Sequence, residues 1–227
     1  MSSKVKTNER AATEAELDVQ EWRAVEIGLE GLSRVAARRF REAAWDAGEV
    51  DVAYATVESP FGPLIVAVTE RGLARLAYPN EEADQVLADL AARVSPRVLE
   101  SSRATDPVRR ELDRYFEGRL RRFETKVDLS LVRGFTREVL RATARIPFGR
   151  VSTYREVATR AGNSAAVRAA GNALGSNPIP IVVPCHRVLR TGGGLGGYTG
   201  GLDRKEALLR LEGVLEPNEP KGPGGRR

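Results

Sequence analysis

The sequence predicts a mixed α/β (α+β) protein. A small N-terminal α/β domain with a sheet of three or more strands is followed by a helix-rich C-terminal domain carrying a helix-turn-helix. Three observations predict it. Residues Val52 to Val57 alternate with a period of two, and two more strand-like apolar runs follow between positions 64 and 78. Beyond position 135, helical spacing and helix caps take over. The 227 residues, 41% hydrophobic and 30% charged, can bury a core and match one large domain or two small ones.

Taken in order, residues 1–50 form a helical extension to which the sequence assigns no chemistry. From Thr13 to Ala47, the apolar residues Leu17, Trp22, Val25, Leu29, Leu32, Val35, Ala36 and Phe40 recur at helical spacing. Gly28 and Gly31 weaken the centre, which allows two shorter helices packed on the domain behind them. Residues 51–130 are read as a small α/β scaffold domain. Val52 to Val57 alternates as a half-buried strand, and Ser59-Pro60-Phe61-Gly62-Pro63 is a turn. Strands at Leu64 to Val68 and Leu73 to Tyr78 flank a turn at Glu70-Arg71-Gly72. A helix from Glu81 to Val94, a strand at Arg97–Leu99 and a helix from about Asp106 complete the domain. Nothing in it resembles a catalytic cluster.

Residues 131–214 read differently. A helix over Phe135–Arg145 is stopped by Ile146-Pro147-Phe148-Gly149. Thr153 and Glu156 have the spacing of a capping box, with Thr153 accepting from the backbone three residues on and Glu156 reaching back. The helix they open runs to about Ala161 and ends at Gly162, with Asn163 as a fresh cap. The helix that follows, Ser164 to Leu174, is built from Ala and Gly, with Arg168 its one long side chain near the start. Two short helices around a glycine turn are a helix-turn-helix candidate; an antiparallel helical hairpin is the competing reading.

Charge is distributed unevenly. Residues 141–227 hold 14 Lys/Arg against 6 Asp/Glu, whereas residues 1–140 hold 22 against 25, so the whole basic excess lies where a polyanion would dock. With 31 Arg against 5 Lys, genomic composition is the alternative source of that excess.

The chemistry concentrates in Ile179-Pro180-Ile181-Val182-Val183-Pro184-Cys185-His186-Arg187-Val188, where an apolar run, read as a strand, delivers the one cysteine beside the one histidine. A lone cysteine is most often an inert core residue, and becomes a nucleophile when a cation, an imidazole or a helix terminus favours its thiolate. Adjacent side chains rarely face each other, so a bridging water or a local bend is needed to couple the pair. One Cys and one His exclude a disulfide framework and a multi-thiolate zinc site, and no metal or cofactor is expected. The glycine-dense stretch Arg190 to Gly201 has neither a phosphate-loop nor a dinucleotide fingerprint, and is expected to be a fixed loop in which Tyr198 can stack or donate. Glu212, near the end of a closing helix over Asp203–Glu212, reads on propensity as a solvated charge. Residues 215–227 are expected to form a disordered basic tail. No apolar run reaches the length of a membrane span, and the polar Met1 to Arg10 lacks a signal core, so a cytoplasmic location is expected.

The PCHRV core at Pro184–Val188, with Ile146-Pro147-Phe148-Gly149, Thr153-Tyr154 and Gly197-Tyr198-Thr199-Gly200-Gly201-Leu202, resembles the 6-O-alkylguanine-DNA alkyltransferases, also called methylated-DNA–protein-cysteine methyltransferases. The resemblance is dense over residues 135–214 and weaker over 51–134. It implies that Cys185 is the alkyl acceptor, that His186 takes its proton through a water, and that Glu212 orients the imidazole. It further implies that Tyr154 donates to the guanine ring, that Arg168 fills the stack when the nucleotide rotates out, and that Asn177 braces the active-site turn. Thr153 and Ala169 would meet DNA, and Val188, Tyr198, Thr199 and Pro180 would line the alkylguanine pocket. The implied partner is alkylated double-stranded DNA, engaged by a monomer without membrane or metal; cooperative loading is left open, as is 4-O-alkylthymine as a second substrate. Thr199 and Phe148 stand where Ser and Tyr are frequent, and residues 1–50 have no counterpart in compact members. A non-catalytic lesion-sensing protein of the same family is the alternative. A thiol hydrolase would turn over many times, and a plain helix-turn-helix regulator would not need the glycine loop beside a cysteine.

Overall fold

The alternating run and its two followers form a sheet that is apolar on both faces, β2 and β3 burying nearly every residue, so each face needs a helix over it. In the computed structural model, which describes residues 33–216, strands β1 (Val52–Val57), β2 (Leu64–Thr69) and β3 (Gly72–Ala77) pair antiparallel. Strand β4 (Val98–Glu100) adds parallel to β1, giving the order β3-β2-β1-β4. Helix α2 (Ala83–Arg93) covers one face through Val86 and Leu90, against Val52, Ala67 and Ala77. Helix α3 (Ser102–Phe116) covers the other through Val108, Leu112 and Tyr115. Gly72 sits at φ 127°, and a Cβ there would lie 2.2 Å from the Lys126 carbonyl oxygen, so the tight turn into β3 requires glycine.

Helix α3 starts four residues before the expected Asp106, because Ser101 caps it by accepting from the Ala104 N–H, and Pro107 is accommodated within the helix. Residues 33–46 are helical (α1) and anchor at their end, where Trp45 packs on the core and Asp46 pairs with Arg103. Phe40 stays 72% exposed. The rest of the predicted extension and the tail from Pro217 lie outside the described residues.

Helices α4 (Gly134–Ala144), α5 (Tyr154–Arg160) and α6 (Val167–Gly175) pack on one another, and α7 (Leu202–Leu211) closes the chain. The capping box is formed: Thr153 Oγ1 accepts from the Glu156 N–H, and Glu156 Oε2 accepts from the Thr153 N–H. Asn163 caps a turn rather than a helix, accepting from the Ala165 N–H, so α6 begins at Val167 and not at Ser164. One apolar cluster runs from Leu64 and Val66 of the sheet to Val157, Ala170 and Leu208 of the helical region.

The segment 179–184 is not a strand. Pro180 and Pro184 cannot donate to a ladder, and Ile181 sits in the left-handed region at φ 72°, a strained position for a β-branched residue. The chain coils here and enters a single 3-10 turn at Cys185–Arg187.

Candidate active site

A two-residue parallel pairing positions the site. Strand β5 (Ser152–Thr153) pairs with β6 (Val188–Leu189), so the first residue of the helix-turn-helix, Tyr154, is held beside the turn that carries Cys185. A cleft of about 630 Å³ lies between them, lined among others by Tyr154, Arg168, Cys185, Arg190, Tyr198 and Thr199. Arg168 projects exposed from the start of α6. Gly171 faces the Tyr154 ring, and a Cβ there would meet it in ordinary contact at 3.8 Å.

Cys185 is buried at the cleft floor. Asn177 fixes the turn: its Nδ2 donates to Val183 O at 2.8 Å and to Cys185 Sγ at 3.1 Å, and its Oδ1 accepts from the Ile179 N–H at 3.0 Å. Burial pushes the thiol up to about 11, against the opposing pull of the Asn177 amide and the Lys205 charge. The resting sulfur is therefore a thiol at neutral pH, and a nucleophilic step needs a base.

Behind it, fully buried His186 meets Glu212, Nε2 to Oε1 at 2.9 Å. Burial raises the Glu212 carboxyl, but its bonds to His186 and Arg187 outweigh this and hold it at about 2, so it is ionised and only accepts. Nε2 therefore carries the proton, and Nδ1 is the basic lone pair, buried without a partner among the described residues. Burial lowers the His186 pKa, with Glu212 opposing, so the imidazole is neutral. No hydrogen bond joins the ring to the thiol, whose side-chain partner is Asn177, in line with the expectation for adjacent residues.

Sequence reasoning missed three members of this centre. Arg187 forks onto Glu212, Nε to Oε2 and Nη2 to Oε1, both at 2.8 Å, and also donates to Ile146 O. Lys205 is fully buried and donates from Nζ to the carbonyls of Val188, at 2.7 Å, Leu195 and Gly197. It thereby holds the glycine loop, and burial brings its pKa down to about 8. Tyr115, from the region read as scaffold, donates to Glu212 Oε1 at 2.6 Å. That reading is corrected: α3 reaches the centre, and so does Tyr78, the residue after β3, through its hydroxyl contact with Tyr198 at 2.7 Å.

Of the remaining residues singled out, Tyr198 and Thr199 line the cleft, Thr199 being pinned to Gly175 O at 2.7 Å. Val188 and Pro180 are buried beside the Cys185 turn and do not line it, Thr153 is the α5 cap, and Ala169 is exposed next to Arg168. Among the described residues no group of three His, Cys, Asp or Glu is placed to hold a metal ion, and no helix is long and apolar enough to cross a membrane.

A helix-turn-helix beside a buried thiol with its own imidazole–carboxylate pair defines a DNA-docking protein with cysteine-centred chemistry. Comparison with known proteins narrows the class. Residues 134–214 match the 6-O-methylguanine DNA methyltransferase DNA-binding domain, and residues 52–129 match the ribonuclease-like domain of the same family. A methylated-DNA–protein-cysteine methyltransferase of Methanosarcina barkeri is 38% identical over 160 residues, 70% of this chain and 96% of the relative. One from Mycolicibacterium paratuberculosis is 40% identical over 163 residues, 71% and 92% of the two chains. The crystal structure of the Mycobacterium tuberculosis O6-methylguanine methyltransferase superposes with a TM-score of 0.60 at 36% identity, covering 74% of this chain and 96% of that one. The M. tuberculosis protein in complex with DNA gives 0.57 at 37% identity, covering 70% and 92%. The chain belongs to the methylated-DNA–protein-cysteine methyltransferase family.

Proposed function

We propose that the protein repairs 6-O-alkylguanine in duplex DNA by moving the alkyl group to its own Cys185, once per molecule. The observation that carries this reading is the placement of Cys185 Sγ at the floor of the cleft beside α6, with the His186–Glu212 pair directly behind it. The sulfur forms a bond to the alkyl carbon as the carbon–O6 bond breaks. The thiol proton passes through a water to His186 Nδ1. Tyr154 gives its hydroxyl proton to the leaving purine, which ends as neutral guanine. The proton held on His186 is released to solvent, from which Tyr154 regains one. The thioether does not hydrolyse, so no cofactor regenerates the thiol. On this reading the nucleotide rotates out of the duplex to bring its alkyl group to Cys185, and Arg168, exposed at the start of α6, fills the space left behind. The protein acts as a monomer, and 4-O-alkylthymine, with the same exocyclic ether, is a second substrate.

Intact-protein mass spectrometry after incubation with a duplex carrying one 6-O-methylguanine tests this. One methyl in place of one hydrogen, saturating at one per protein and mapping to Cys185, is expected. Lesion binding without added mass would replace the proposal with a lesion-sensing role.

A further inference from the structure

We propose that Tyr115, contributed by the sheet region, is a positioning residue for the transfer reaction, holding Glu212 against His186 and setting the basicity of the imidazole. The proposal rests on the function argued above.

Glu212 Oε1 accepts three donors: Tyr115 Oη at 2.6 Å, Arg187 Nη2 at 2.8 Å and His186 Nε2 at 2.9 Å. Oε2 accepts Arg187 Nε at 2.8 Å and the Gly149 N–H at 3.3 Å. Every lone pair of this buried carboxylate is therefore directed, and the shortest contact comes from a residue 97 positions away in the chain. Tyr115 is itself 1% exposed, and its ring is wedged among Phe116, Phe123 and Phe148 at centroid separations of 5.5, 5.2 and 6.3 Å. The hydroxyl therefore has one place to point. Burial and the neighbouring carboxylate raise the phenol far above its ordinary pKa, so it donates throughout the working pH range.

The consequence follows from charge sharing. Each donor on Oε1 draws negative charge that would otherwise stabilise an imidazolium at His186. The other charged or titratable groups facing the pair are Arg187 beside it, Lys205 from α7, the Cys185 thiol, and Tyr198, whose ring lies 6.4 Å from the imidazole. None of these changes when the Tyr115 hydroxyl is removed. The freed negative charge is shared between Arg187, which is already ionised, and the imidazole, whose pKa therefore rises.

His186 is the one histidine of the chain, so its imidazole 15N resonances need no assignment. In Tyr115→Phe, these resonances should shift toward the protonated form at a given pH. The acid limb of the transfer rate should move up with them, about three- to tenfold slower on that limb with the alkaline plateau retained. Tyr78→Phe deletes a different buried hydroxyl joining the same two regions without touching Glu212, and should leave the His186 resonances in place. Unchanged His186 resonances and acid limb in Tyr115→Phe, or a uniform slowing at every pH, would overturn the proposal. If Tyr115→Phe fails to fold, 3-fluorotyrosine at position 115 keeps the ring and strengthens the donor. His186 must then shift toward the neutral form, and no shift or the reverse shift overturns the idea. A wild-type protein that transfers nothing would defeat the functional reading, while the resonances still judge the contact.

Discussion

The sheet region buries carbon; the helical region buries charge. Among the described residues, the sheet region up to residue 130 has one buried charged side chain, Asp128, bound by Thr69, Ser130 and Arg71. The second half buries Arg187, Lys205 and Glu212 together with His186 and Asn177, all within one connected centre around Cys185. Buried charge is a poor source of stability, because desolvation consumes most of what the pairing returns. The comparison therefore separates what holds the molecule together from what makes it reactive. The apolar cluster around Leu64, Leu73 and Leu76 stabilises the helical region through contact with it, and the helical region uses that support to hold a polar assembly that would not pack favourably alone.

Breaking the polar assembly should give the largest effect. Glu212→Gln leaves the Arg187 guanidinium buried without its anion, an expected cost of about 3–5 kcal/mol at neutral pH. Denaturant unfolding measures it, and transfer should also fall by roughly a hundredfold because His186 loses its counter-charge. A cost below about 1 kcal/mol would mean that the charges are not desolvated as the geometry requires. Breaking the apolar side should look different. Leu64→Ala, at a fully buried position in the sheet, should cost about 3 kcal/mol. The transfer rate of the folded fraction should be unaltered. If it falls in step with stability, the division between support and chemistry is wrong.

The same division explains what could be read from the sequence. Strand β1 was legible because alternation reports a half-buried face, β2 and β3 because short apolar runs stand between turn residues, and α5 because Thr153 and Glu156 stand at capping-box spacing. Cys185 and His186 were legible because there is one of each. The segment 179–184 was misread because a run of apolar residues reports burial without reporting conformation; its two prolines were the better guide. Arg187, Lys205 and Tyr115 were not legible. Arg and Lys belong by type to the surface, and their burial is decided by partners brought from far along the chain, Glu212 for Arg187 and the Leu195 and Gly197 carbonyls for Lys205. No local pattern announces such a partner.

A smaller effect sharpens the role of Glu212. Its folded pKa of about 2 lies below the ordinary 4.5, so its contribution is complete above pH 4.5 and is lost as the pH falls towards 2. That contribution is about 3 kcal/mol, the lower end of the cost expected for Glu212→Gln. The thermal midpoints of the wild type and Glu212→Gln, well separated at pH 6, should therefore approach each other as the pH is lowered from 4.5. A constant gap would show that the carboxylate charge is not what the surrounding donors recognise.

The smallest stability change should come from Lys205→Met, which keeps the buried stem and removes the ammonium. The loss of three carbonyl contacts is offset by relief of a desolvated charge whose pKa has already been brought down to about 8, so the net change should stay within about 1 kcal/mol. Function should not be spared. The ammonium ties Val188, at the end of the reactive turn, to Leu195 and Gly197 of the glycine loop, and its charge favours the Cys185 thiolate. Transfer at pH 7 should slow by roughly tenfold, and the thiol, followed by its reaction with a small disulfide across pH, should titrate higher than in the wild type. A variant that lost stability as Glu212→Gln does, yet kept its transfer rate, would place Lys205 with the supporting structure and redraw the boundary between the two regions.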